Sequence, residues 1–481
     1  MVDYDKIMQA HPLYEKNKLR WKFLLDSYLG GEDYRRGSYL TRYATESDND
    51  YLIRQDNTPI DNHSRSCIQI YNSFLFRVKP TRELGSIERN PNLDPFMRDA
   101  DLEGRSFNNF MKDASTLSGI FGHCFIMVSK PQTNARTRAE ELGQQIRPYV
   151  SLISPMNVVD WNWSRGANGV SYINYMKIVE DNDDGRTSTV REWTDEEIRT
   201  YTVDFTQQQA SAQSVEPNTF GQIPVVLLYS QRGMQRGFGI SDIEDVATAQ
   251  RAIYNFNSNI EEGIRLGTHP SLVKTVGTEA IAGAGSIVLM EDNMDSGLKP
   301  YLLEPSGNSI DSIHKSIDQQ VSAIDRMANL GSARAQQVSQ LSGIAMETEF
   351  QMLSARLSDK ADNLELCEEN IWSIWARYEN SVFDGVIDYP DSFSIRDTER
   401  ELKQLELAKN TATDPQLYKE IDYQIAELLD VEDYEYSEPG VSAEYPLHQM
   451  TDPEGVETVT VTTQAQHEGL TAQGWTDDQG S

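Results

Sequence analysis

Apolar positions along the chain change their period twice, from helical to strand-like and back to helical. From Leu13 to Leu29, Leu13, Leu19, Phe23, Leu24 and Tyr28 fall near helical spacing, and Gly30-Gly31 stops the run. Asp61 to Val78 predicts a second helix with Cys67, Ile70, Phe74 and Leu75 on one face, and residues 95–118 a third closed by Gly119. Between about 121 and 229 the apolar runs shorten. Cys124–Val128, Tyr149–Ile153 and Ile223–Tyr229 read as strands, and Val170–Val179 and Ile198–Phe205 alternate with period two. An α+β layer, a mostly antiparallel sheet flanked by helices, is expected.

After Gly237 the helical period returns. Ile240, Ile243, Val246, Ile253, Tyr254, Ile260 and Ile264 predict a helix of about 25 residues, ended by Gly267 and Pro270. A β-like insert follows, in the pieces 271–276, 285–290 and 299–304. A second helix begins near Ser309 or Asp311 and carries Ile310, Ile313, Ile317, Val321, Ile324 and Ala328. Polar and small residues then interrupt the stripe at 330–343, which predicts a loop or kinked helix. From Ile344 a third stripe runs through Leu353, Leu357, Leu364, Ile371, Trp375 and Tyr378. Charged helical patterns occupy Thr398–Lys409 and Pro415–Leu429, and the tail beyond is expected to lack a core, although Val456–Val461 alternates as a short strand would.

At 481 residues the chain is long enough for two to four packed units. Its longest apolar run, Ile223–Tyr229, is far short of the ~20 residues of a membrane-spanning helix. No secretory signal opens it, so synthesis in a cytoplasm is expected. Cys67, Cys124 and Cys367 are odd in number and far apart, which favours reduced thiols over disulfides or a zinc knuckle. The net charge of −32 disfavours tight binding of duplex DNA by a basic face. No Lys or Arg follows Lys419, while 15 Asp and Glu lie in residues 420–481, so the end of the chain is a separate acidic zone.

Catalytic signatures are absent across several classes. There is no GxxxxGK[ST] loop, HExxH or GxSxG, and the seven histidines never fall at a ligand spacing, so neither cofactor nor metal is expected. Gly237-Phe238-Gly239 follows a strand and precedes a helix, as a dinucleotide fingerprint would, but Asp242 stands where the third glycine belongs. An N-cap by Ser241 or Asp242 is the competing interpretation. Asp181, Asp183, Asp184 and Gly185 suggest a cation loop or a solvated hairpin turn, without the distal Glu of an EF-hand. His123 and Cys124 are adjacent, so in a strand they point to opposite faces and favour packing over a nucleophilic pair. Trp161 and Trp163 share one side of an extended segment, where they either stack on bases or form a subunit contact or core wall.

The order of segments resembles the portal proteins of tailed double-stranded DNA bacteriophages over roughly residues 10–430. The carrying features are LLDSYLGG ending the first helix, Ile153–Trp161, Ile240–Leu266 followed by His269–Leu272, Gly285–Leu289 with Tyr301–Pro305, and Leu341–Met346 heading the long helix. The resemblance implies a wing from residues 1–239 and 344–383, stem helices at 240–266 and 307–329, a small clip at 267–306, a tunnel loop at 330–343, a mainly helical crown at 384–430 and an acidic tail at 431–481. It implies a homo-oligomeric ring, usually a dodecamer, at one vertex of the capsid of the virion. The major capsid protein, the large terminase subunit and then head–tail connector proteins would be its partners, with double-stranded DNA passing non-specifically. Arg334, Gln336, Gln337 and Gln340 would approach DNA from the tunnel loop, and Lys274, Glu279, Glu291, Asp292 and Lys299 would form the clip docking surface. A strongly negative chain suits a conduit, because a wall that gripped phosphates would stall its cargo. Another head–tail adaptor or scaffold, or a nucleotide- or metal-dependent enzyme, remains the alternative.

Overall fold

The computed structural model describes residues 3–135, 137–268, 271–273, 301–303, 307–331, 343–390, 393, 402, 405, 407–409, 415–428, 448–451, 453, 458–461 and 470–477. The chain divides into two compact units, Met1–Ser394 and Ile395–Ser481.

The first unit opens with helices α1 (Tyr4–Met8), α2 (Pro12–Leu29), α3 (Gly31–Arg36), α4 (Asp48–Asn57) and α5 (His63–Leu75). In α2 the buried stripe is Tyr14, Trp21 and Leu24, whereas Leu19, expected to face the core, is 81% exposed. The aromatic residues offer more area to bury and set the face. Strand β1 (Thr81–Glu83), helix α6 (Leu93–Arg98) and helix α7 (Phe107–Phe121) follow. The single helix expected over 95–118 is therefore two. Asp99 and Asp101 break it by accepting bonds from the backbone N–H groups of Gly104, Glu103 and Arg105, and Leu102 and Gly104 take positive φ. Ser106 then caps α7 through the Asn109 N–H, and α7 stops not at Gly119 but at Gly122, with φ +87°.

Two antiparallel sheets replace the one expected. Strands β2 (His123–Ser129), β3 (Tyr149–Ile153) and, far along the chain, β9 (Val225–Tyr229) pair in the order β3-β2-β9, with helix α8 (Arg138–Gly143) between β2 and β3. Strands β4 (Val158–Arg165), β5 (Ser171–Asp181), β6 (Thr187–Thr194), β7 (Glu197–Asp204) and β8 (Gln209–Pro217) form a sequential meander. The even pattern of β2 has a simple cause. Cys124, Ile126 and Val128 join the helical core on one face, while Phe125 and Met127 pack with Ile153, Val158, Ile173 and Met176 on the other.

Helix α9 (Glu244–Thr268) starts four residues later than its apolar pattern suggests, leaving Ile240 exposed. Strands β10 (Ser271–Val273) and β11 (Tyr301–Leu303) pair antiparallel, then helix α10 (Gly307–Ala328) returns along α9. The 36-residue helix α11 (Gly343–Tyr378) crosses β9 and β2, and strand β12 (Val386–Asp388) pairs with β1. Buried Arg82 of β1 lies against Glu368 of α11, which also accepts bonds from Trp372 Nε1 (3.1 Å) and Tyr389 Oη (2.8 Å). Each lone pair of that buried carboxylate is thus engaged.

In the second unit, helix α12 (Pro415–Leu428) forms as expected, and of the stretch 398–409 residues 402, 405 and 407–409 are helical. The tail, expected to lack a core, carries short strands. Strands β13 (His448–Thr451), β14 (Thr458–Val461) and β15 (Thr476–Asp477) pair antiparallel in the order β14-β13-β15 around buried Met450.

Candidate stem and its buried anchor

The chain packs α9 and α10 side by side because each carries one apolar stripe. They run antiparallel: Gly263 near the end of α9 meets Ile310 near the start of α10, and the start of α9 lies with the end of α10 in one core through Ile243, Val246, Ile324 and Ala328. At 25 and 22 residues they extend about 38 and 33 Å.

Several side chains of α9, Gln250, Asn255 and Ser258 among them, tie it to the N-terminal segment. The buried Gln250 amide donates to Ser27 O (3.1 Å) and accepts from the Ser64 N–H (2.8 Å), satisfying both its ends. Asn255 accepts from the Thr41 N–H and donates to Tyr39 O. Ser258 accepts from Arg54, whose guanidinium also forms a two-pronged pair with Glu46 at 2.7 Å per contact.

Where α9 begins, charge is buried. Asp242 Oδ2 lies 2.6 Å from Lys360 Nζ of α11, its Oδ1 is 3.3 Å from Arg356, and Lys360 also reaches Ser230 Oγ at 2.5 Å. Arg356 donates to Met327 O (3.2 Å) at the end of α10 and lies 5.0 Å from the Tyr71 ring centre, while Tyr71 Oη bonds Ala328 O at 2.5 Å. One pair of α11 cations therefore holds the start of one helix and the end of the other. Burial pushes the Asp242 carboxyl up, but Lys360 and then Arg356 outweigh it and hold the group below the usual carboxylate range. A cleft of about 410 Å³ opens beside the cluster between Asp245, Met327, Asn329 and Asp359.

Asp242 is thus an ion-pair partner and not a helix cap. Nor is Ser241 the cap: its Oγ accepts from the N–H of Ile243, which precedes Glu244, the first residue of α9, and donates to Ile120 O. The sequence does carry a signal for the cluster: Lys360 sits among Leu357, Ala361 and Leu364 on the buried stripe of α11. A lysine there needs an acidic partner.

The other candidate groups resolve as structure. His123 is buried among Trp21, Phe125 and Phe238, its Nδ1 accepts from the Gly239 N–H at 3.4 Å, and burial pulls its pKa down to about 4. Cys124 faces away and donates to Ala114 O, and burial raises its pKa. Trp161 stacks on His11 at 4.5 Å, a core wall. Asp184 accepts from the N–H groups of Arg186 and Thr187 and from Thr187 Oγ1, bonds that pull its pKa down to about 2 and close the β5–β6 turn. Gly237 and Gly239 lead no phosphate loop, since the chain crosses the backbone of Gly122 there. Among the described residues no His, Cys, Asp and Glu group is placed to hold a metal, and no helix is long and apolar enough to cross a membrane. Arg334, Gln336, Gln337 and Gln340, and Lys274, Glu279, Glu291, Asp292 and Lys299, lie outside the described residues.

A family model described as phage portal protein, SPP1 Gp6-like, matches residues 6–399, which span nearly all of the first unit. The chain belongs to this family. A portal protein is a structural component of the virion, a subunit of the ring at the capsid vertex. Similar solved structures include a chain of the neck of an empty GTA particle computed with C6 symmetry (TM-score 0.46, 10% identity, 82% of this chain and 99% of that one covered). Others are chains of a native gene transfer agent virion (0.43, 11%, 83% and 98%) and of a native GTA neck computed with C12 symmetry (0.41, 8%, 82% and 98%). No curated protein sequence matches the chain.

Proposed function

We propose that α9 and α10 are the stem of a dodecameric portal ring and form the wall of the channel that DNA follows during packaging and ejection. The family match over residues 6–399 carries this reading. Two physical observations support it. A chain of net charge −32 suits a passage that must keep a duplex mobile. On α10, Ile313, Ile317 and Val321 remain half buried in the single chain, apolar surface that neighbouring copies would cover. On the same reading residues 267–306, which include β10 and β11, are the clip that docks the terminase and later the connector, the protein is made in the host cytoplasm, and it carries no catalytic site. Images of the purified full-length protein in negative stain are expected to show rings with a central channel. A uniform monomer under all conditions would end the proposal.

Residues 330–343, which join α10 to α11, are then the tunnel loop, with Arg334 as a sparse, reversible phosphate contact and Gln336, Gln337 and Gln340 beside it. Arg334→Ala is expected to lower packaged DNA yield or retention in assembled particles while leaving rings intact. Unchanged yield and retention would remove Arg334 from the channel wall.

A further inference from the structure

The first unit carries a groove of about 600 Å³ that the anchor does not use, between the start of β5, edge strand β9 and the outer side of α11. Asn363, Leu366, Asn370, Ser373 and Arg377 form one stripe of α11 along it, at alternating steps of three and four. Leu366, the apolar member of this otherwise polar stripe, is 45% exposed. In a chain with 75 acidic residues, no Asp or Glu among the described residues lines the groove, whereas Arg232 and Arg377 do. Arg377 stands over the Phe220 ring at 4.0 Å and Arg232 over Tyr229 at 5.4 Å, and neither is ion-paired among the described residues.

The opposite end of β5 has the opposite character. Ser171 to Asp181 spans roughly 33 Å, and Asp181 at its end and Asp183 and Asp184 in the β5–β6 turn are exposed. The two arginines nearby, Arg186 and Arg191, are spent on Asp204 and Glu180. A ring of more than two identical chains needs a head-to-tail contact between two different, complementary patches on opposite sides of each subunit. Copies that each carry −32 must also meet where charge is complementary. We propose that the β5–β6 turn of one copy, Asp181–Gly185, docks in the groove of the next, setting its carboxylates against Arg377 and Arg232. This rests on the ring assembly proposed above.

The test uses the full-length chain. Arg377→Glu is expected to cut ring yield about tenfold or more at low salt, because it opposes like charges across the contact. Adding Asp183→Arg is expected to restore it, and since residue 183 lies at the far end of the sheet, that rescue can act only between subunits. As a second measurement, chains carrying both Asn370→Cys and Asp183→Cys should form a ladder of disulfide-linked multimers on oxidation. The native Cys67, Cys124 and Cys367 are buried, and wild-type protein is the control for them. Wild-type rings together with double-cysteine rings that give no ladder would overturn the docking of turn in groove and leave the ring standing. Absence of wild-type rings would overturn the ring itself.

Discussion

Lys360→Met is expected to destabilise the protein by about 3–5 kcal/mol at neutral pH, a fall in Tm on the order of 10 °C, measured by thermal and urea unfolding. The methionine fills the volume, so the loss is not one of packing. It leaves the Asp242 carboxylate buried with only Arg356, at 3.3 Å, to compensate it, and removes the donor to Ser230. The double variant Asp242→Asn/Lys360→Met removes both charges and is expected to recover more than half of the loss, because a buried pair is worth little relative to a neutral isostere and costs much only when half of it is deleted. Equal destabilisation in the single and double variants would show that the pair is not coupled.

The pH dependence has a definite sign. Asp242 is held below its unfolded value of about 3.9, so its protons bind more readily to the unfolded chain at moderately acid pH. The stability it contributes is complete well above that unfolded value and is lost as pH falls through the lower folded value. In Lys360→Met burial is opposed only by Arg356 and the Ser230 hydroxyl, the folded pKa rises, and the carboxyl takes up its proton at higher pH. The penalty of the single variant is therefore greatest near neutrality and narrows in acid, whereas the double variant lacks this acid limb.

The sequence shows its long elements clearly for a physical reason. Where an element buries one continuous stripe, as α11, α9 and α10 do, periodicity fixes its existence and nearly its ends: Gly343–Tyr378 begins one residue from the expected start. β3 is found at Tyr149–Ile153, as read from its apolar run. Periodicity fails where local side chains compete with it. The turn built by Asp99 and Asp101 divides the helix expected over 95–118, and the aromatic residues of α2 outweigh Leu19. It also cannot show pairing at long range. β9 joins β2 from about a hundred residues away, so one apparent sheet is two, and Asp242 meets Lys360 across 118 positions. The family resemblance was legible through segment order, since helix, insert, helix and long helix follow from stripe lengths and glycine stops alone.

Gly239→Ala is expected to have the larger effect of all single substitutions considered, a loss above about 4 kcal/mol read as loss of soluble folded protein. A Cβ at Gly239 would lie 1.8 Å from the carbonyl oxygen of Gly122, and one at Gly122 would lie 2.5 Å from the Gly239 backbone. Neither neighbour is a flexible side chain that could turn aside. The crossing is also pinned, because the Ser230 N–H donates to Gly122 O at 2.9 Å, Ile240 N–H to Gln231 O at 2.8 Å, and Asp242 N–H to Gly119 O at 2.9 Å. Moving the chain to admit a methyl group would break these bonds and draw Asp242 away from Lys360. Gly221→Ala provides the contrast: no atom lies within 4 Å of its Cβ position, and only the positive φ of +74° opposes the substitution, at about 1–2 kcal/mol. That variant should fold with a modest fall in Tm. If Gly239→Ala instead melts with Gly221→Ala, the crossing has slack and the start of α9 is not set by it. Gly239, part of the stretch that resembles a nucleotide loop, therefore serves contact between two backbones, and through it fixes where helix α9 begins.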